Sequence, residues 1–99
     1  MNPRAKGYRN EMKAQKILEA AGYLVIKKVH TKYSPGDFFE IYDLIAHNED
    51  GWRCVQVKTN RRETPELREK IEMFPVSPGT TREVWVFYDR VSEPVIHVI

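Results

Sequence analysis

Three polar residues sit where a buried hairpin leaves little room for them. The stretch from Ile41 to Asn60 has an apolar first arm, Ile41 to His47, with Asp43 in its middle. Asn48-Glu49-Asp50-Gly51 supplies a turn, with Gly51 free to take a positive φ. The second arm, Trp52 to Thr59, is rich in β-branched and aromatic residues and ends on Gln56-Val57-Lys58. Burying an acid, an amide and an ammonium costs on the order of several kcal/mol unless they find partners. Side chains alternate along a strand, so Gln56 and Lys58 share one face with Trp52 and Cys54, while Val55 and Val57 take the other. The acid and the amide oxygen suit a hard divalent cation such as Mg²⁺, which takes oxygen ligands and keeps several waters. Such an ion activates water and stabilises charge developing on a phosphate, and a neighbouring lysine assists it. The competing reading is structural: a buried Asp43–Lys58 ion pair with no chemistry.

The elements that must position this hairpin follow from the flanking sequence. Arg4 to Ala21 reads as a helix whose inner stripe is Gly7, Glu11, Ala14, Leu18 and Ala21, with Ile17 beside it and Gly22 as its stop. Glu11 is the odd member of that stripe: either a fourth site residue or a carboxylate favoured by the start of the helix. Tyr23 to His30 reads as a strand, followed by a loop through Tyr33-Ser34-Pro35-Gly36-Asp37. Beyond the hairpin, Thr64 and Pro65 cap a helix running to about Phe74, with Leu67, Ile71 and Phe74 inward and a favourable Glu66–Lys70 pair. Glu83 to Asp89 is apolar on both faces and therefore interior. Val95 to Ile99 is a final short strand. The order α-β-β-β-α-β-β predicts an α/β fold, a mixed sheet of about five strands with two helices. The second helix crosses over between parallel strands.

Asp43, a turn, and then Gln56-Val57-Lys58 thirteen to fifteen residues on resemble the PD-(D/E)xK signature of the restriction-endonuclease-like nuclease superfamily. The element order resembles its αβββαβ core. The N-terminal stretch RNEMKAQKILEAAGYLVIK resembles the first helix and strand of archaeal Holliday-junction resolvases, with Glu11 at the place of their helix glutamate. The resemblance covers nearly the whole chain. It implies Mg²⁺-dependent hydrolysis of DNA phosphodiesters, with Mn²⁺ as a substitute. It makes Asp43 the main metal ligand, Lys58 the catalytic lysine, Glu11 a direct or water-mediated ligand and the Val57 carbonyl a backbone ligand. Ser34 falls in the loop where resolvases carry a functional polar residue. Gln56 departs from the pattern, which expects Asp or Glu: an amide offers one oxygen and no charge. Asp37, in Pro35-Gly36-Asp37, is read as a turn residue rather than as the motif's aspartate.

Charge distribution points to a polyanionic partner. Residues 1–32 carry eight Lys and Arg against two acids, a local balance of +6, within a chain whose net charge is +2. Arg4, Lys6, Arg9 and Lys13 lie near Glu11, Arg61 and Arg62 follow Lys58, and Lys32 sits with Tyr33 and Ser34 on the loop, so all could border one DNA-binding cleft. The same charges could instead be solvated, most plainly from Arg61 to Glu72, where four bases meet four acids. No helix-turn-helix or zinc finger is evident, which favours structure-selective over sequence-specific binding. Ninety-nine residues allow one domain spanning 1–99. Apolar runs too short for a membrane and a single cysteine, Cys54, suggest an intracellular, cytoplasmic setting. By analogy with resolvases, which cut two strands symmetrically, a homodimer is expected, joined through Trp85, Phe87 and Tyr88 or through Val95–Ile99. Two other readings compete with the nuclease: a non-catalytic nucleic-acid-binding module with a degenerate site at Gln56, and a protein-interaction or structural domain.

Overall fold

The computed structural model describes residues 3–29 and 36–99, with side chains from Ala5 onward. Helix α1 (Pro3–Ala20) leads into β1 (Leu24–Lys27), β2 (Leu44–Asn48) and β3 (Gly51–Thr59). Helix α2 (Pro65–Met73) then precedes β4 (Thr80–Phe87) and β5 (Val95–Val98). The five strands form one sheet in sequence order. All neighbours are antiparallel except β3 and β4, which run parallel as the crossover through α2 requires.

Each helix covers one face, and strand alternation sorts the core accordingly. Ala14 and Leu18 of α1 pack with Leu44, Ala46, Val55, Val57, Trp85 and Phe87. Ile71 of α2 packs with Ile41, Tyr42, Cys54, Val84 and Val86, joined by Leu67 and Phe74. Val55 and Val57 thus face one helix and Cys54 the other, as the two-residue period demands. The C-terminus of α1 is closed by Gly22 at φ 93°, with the Tyr23 N–H donating to the Leu18 carbonyl and the Gly22 N–H to Glu19. Ala21 lies in this turn and is exposed, so the inner stripe ends at Leu18. The Thr64 hydroxyl accepts from the Leu67 N–H and caps α2, with Pro65 at the first turn.

The hairpin closes tightly. Asn48 opposes Gly51, and the Asp50 N–H donates to the Asn48 side-chain oxygen. Gly51 takes φ 143°, and a Cβ there would lie 1.8 Å from the Gly79 carbonyl oxygen, so the start of β4 approaches too closely for any side chain. The first arm is shorter than the sequence suggests. Ile41 and Tyr42 belong to a tight turn in which Phe38 and Tyr42 pair, and β2 begins at Leu44. Strand β4 begins three residues earlier than expected, because Thr80 to Arg82 extend the parallel ladder alongside Trp52 to Cys54. Glu66 and Lys70 do not form the expected pair; around α2 the ion pairs run instead from Arg62 and Arg68 to Glu63, and from Arg68 to Glu72. Trp85 and Phe87 are core residues, which removes them from any subunit interface.

Candidate active site

The sheet's regular pairing between β2 and β3 stops at Leu44 and Val55, and Asp43 takes over where it stops. Its N–H donates to the Val55 carbonyl at 2.9 Å, and its Oδ2 accepts the Val57 N–H at 2.7 Å. The carboxylate therefore clips onto β3 across the Gln56 position. On the other side, the Asp43 carbonyl accepts the Lys28 N–H just beyond β1. In an extended strand a residue's N–H and C=O point to the same edge. The Val57 carbonyl thus looks toward the same side as Asp43.

Helix α1 brings the second acid. Asn10 is buried, and its amide donates to the Thr59 hydroxyl at 2.8 Å, docking the middle of the helix on the end of β3. That contact places Glu11, 7% exposed, beside the strand ends. Asn10 escaped the sequence reading, although a polar residue beside the apolar stripe is the expected sign of such a docking bond.

The cluster is centred on a residue the sequence did not single out. The Lys28 ammonium lies 2.5 Å from Asp43 Oδ1, 2.9 Å from Asp37 Oδ1 and 3.4 Å from Glu11 Oε2, with only 9% of its side chain exposed. The buried partner of Asp43 is therefore Lys28 and not Lys58. Asp37 opens a turn as expected, its carbonyl accepting from Glu40, but its side chain also joins the cluster. Three carboxylates around one ammonium leave an excess of negative charge. Burial, with the Asp43 charge added, raises the Glu11 carboxyl above its ordinary range even against Lys28. Burial likewise raises Asp43, against the hydrogen bonds from Lys28 and Val57. For Lys28, burial favours the neutral form, but the bonds to Asp37 and Asp43 and the surrounding negative charge outweigh it, and its affinity for the proton rises.

Of the site candidates, Glu11 and Gln56 each have a buried oxygen, Oε1 in both, with no hydrogen-bond partner among the described residues. Buried polar atoms are seldom left so, because each forfeits the hydration it had in water. Lys58 forms no ion pair among the described residues. Burial and the neighbouring Arg61 lower its proton affinity, and Asp43 partly offsets them. No three His, Cys, Asp or Glu side chains among the described residues form a ready-made metal set. The oxygen donors nonetheless fit a hard cation: one carboxylate held rigidly by β3, one carboxylate oxygen and one amide oxygen still unpaired.

The basic rim is partly realised. Lys6, Arg9, Asn10 and Lys13 line a cleft of about 660 Å³ with the segment from Phe87 to Ser92, at the end of the sheet where Asn10 docks. Lys6 is bound to Asp89 at 2.6 Å, and Arg62 to Glu63 at 3.2 Å, so neither is wholly available to a phosphate. Lys13 and Arg61 are exposed. Lys32 and Ser34 lie outside the described residues, as does the side chain of Arg4. No helix among the described residues is long and apolar enough to cross a membrane.

No family model matches this chain. No curated protein matches it in sequence. Among solved structures it is similar to Hjc, a Holliday junction resolvase from the archaeal hyperthermophile Archaeoglobus fulgidus. The TM-score is 0.70 and the identity 20%, over 91% of this chain and 73% of that one. The chain thus shares the fold of that structure, a mixed five-stranded sheet with two helices.

Proposed function

We propose that this protein is a divalent-metal-dependent DNA endonuclease that hydrolyses phosphodiester bonds and selects branched or otherwise structured DNA, in the manner of a Holliday junction resolvase. The observation that carries this reading is the joining of Asp43 and Glu11 through Lys28 at one end of the sheet, with Gln56 between the β3 residues that Asp43 bonds and with buried oxygens of Glu11 and Gln56 unpaired among the described residues, on a resolvase fold. Asp43, Glu11, Gln56 and the Val57 carbonyl would hold Mg²⁺ or Mn²⁺. Such an ion supplies Lewis acidity toward a phosphate oxygen and toward water. Asp43, fixed by the Val57 N–H, orients the donor set. Lys58, on the same strand and without an internal partner among the described residues, stabilises negative charge developing on the scissile phosphate. The exposed bases Lys13 and Arg61, with Arg9 in the cleft, hold the DNA backbone on either side. A homodimer inside the cell would set two such sites against the two strands to be cut.

A second reading is favoured by two features: Lys28 already occupies the space between the acids and offsets part of their charge, and Gln56 replaces an acid. On that reading the protein binds nucleic acid without cutting it. One experiment separates the two. Plasmid, four-way-junction and single-stranded DNA are incubated with Mg²⁺ or Mn²⁺ and with wild type, Asp43→Ala or Lys58→Ala. Metal-dependent cutting by wild type that both variants lose supports the nuclease. Salt-sensitive binding with no cutting under any condition leaves the binding module.

A further inference from the structure

The place of Lys28 has a consequence for how a cation enters the site. Its ammonium touches all three acids, while the second oxygen of Glu11 is buried and unpaired among the described residues. Lys28 and a divalent ion compete for that space: an ion on Asp43 would stand within a few ångströms of a positive charge in a poorly solvated site, where like charges repel strongly. Asp37 is the most exposed of the three acids, with 26% of its side chain in solvent, against 10% for Glu11 and 4% for Asp43. It is the partner that Lys28 can keep while leaving the other two.

We propose that Lys28 is a built-in counter-cation of the metal site, offsetting part of the charge of Glu11 and Asp43 in the metal-free protein and withdrawing onto Asp37 when a divalent ion binds. Lys28 is then a positioning residue. It keeps two acids from driving each other apart before metal arrives, and it sets metal affinity by competing for them. The arrangement also accounts for a glutamine on β3: with Asp37 drawn into the cluster, the site already holds three acids, and a fourth at position 56 would add a further buried charge. This inference rests on the metal-dependent reading above.

The test measures metal occupancy rather than cutting. Mn²⁺ binding is followed by loss of the free-ion electron paramagnetic resonance signal, in wild type, Lys28→Met and Asp43→Asn. Removing the competing charge is expected to tighten Mn²⁺ binding by about tenfold or more, and Asp43→Asn to abolish it. Because Lys28→Met leaves acids uncompensated and can fail to fold without metal, wild type is examined in parallel by ¹⁵N spectroscopy of lysine ammonium groups. The protected Lys28 signal is expected to shift or broaden as Mg²⁺ saturates the site. Mn²⁺ binding in Lys28→Met no tighter than in wild type, or a Lys28 signal unmoved at saturating Mg²⁺, overturns the inference and leaves the nuclease reading standing. Absence of Mn²⁺ binding in wild type and Lys28→Met alike overturns both.

Discussion

Strand β3 has an ion cluster near each end, one balanced in charge and the other with an excess of acid. Near its start, Arg53 meets Glu83 of β4 in a two-pronged pair, Nε to Oε2 at 2.8 Å and Nη2 to Oε1 at 2.6 Å. The Thr81 hydroxyl and the Trp85 indole N–H, the latter at 2.9 Å, donate to the same carboxylate. One acid meets one base, and each oxygen is bonded twice. Burial alone would raise the Glu83 carboxyl, but these donors together hold it below its ordinary range. At the other end, three acids share Lys28, two of them are raised, and two oxygens stay unpaired. The first cluster is closed and needs nothing further. The second has unused donors and surplus charge, which is what the proposed cation site requires and a buried ion pair that serves the fold does not.

The contrast can be broken from either end. Glu83→Ala strands Arg53 under the Tyr23 and Trp85 rings and leaves the Trp85 N–H without its acceptor. Because Arg53 retains some solvent, the loss is placed at the low end for broken buried pairs, about 3 kcal/mol in urea unfolding. Cutting per folded molecule is expected to stay unchanged. Asp43→Asn should do the reverse. The amide is close to the same shape, so folding is expected to suffer less than in Glu83→Ala. Metal-dependent cleavage is expected to fall by more than about a hundredfold, since even outer-shell partners of a metal cost up to that much. If Asp43→Asn unfolds the protein as severely as Glu83→Ala, both ends of β3 are structural and the distinction fails.

Gln56→Glu sharpens the comparison by a smaller amount. A carboxylate there adds charge to a cluster already rich in acid, so the metal-free protein is expected to lose about 1 kcal/mol, seen in urea unfolding with chelator present. With Mg²⁺ the difference should shrink or reverse, because the added oxygen is now used. A variant equally destabilised with and without Mg²⁺ would mean that position 56 does not face the cation.

How much of this was legible in the sequence follows from what sets each contact. The element order could be read because periodicity, the Gly22 stop and the Thr64–Pro65 cap are local signals. Asp43, Gln56 and Lys58 could be picked out because each is polar within an apolar stretch. Lys28 could not. In YLVIKKVH a pair of lysines near the end of a strand reads as solvated charge, and its burial depends on how β1 pairs with β2 across an intervening loop. Asp37 reads only as a turn residue for the same reason: its turn is local, but its bond to Lys28 is set by where the loop returns. Glu83 heads a stretch that reads as apolar on both faces, and nothing nearby in sequence reveals that Arg53, thirty residues earlier, lies against it.

The smallest expected effect concerns acid. Glu83 has a folded-state proton affinity below its ordinary value of 4.5, so its ionised form is the one the fold favours. That contribution is complete above the ordinary value and disappears as pH falls through the lower folded value. The groups facing it are Arg53, which stays charged throughout, the neutral donors Thr81 and Trp85, and the thiol of Cys54, which burial and the Glu83 charge both raise and hold neutral in acid. The acid loss assigned to this end of β3 is therefore carried by Glu83. The urea midpoint of wild type should fall on acidification below 4.5, and that of Glu83→Gln should fall less over the same range. Chelated and Mg²⁺-loaded wild type should share this component, because the proposed cation site lies at the far end of the strand. If Mg²⁺ alters the component that Glu83→Gln removes, the two clusters are coupled through β3 and are not independent ends of one strand.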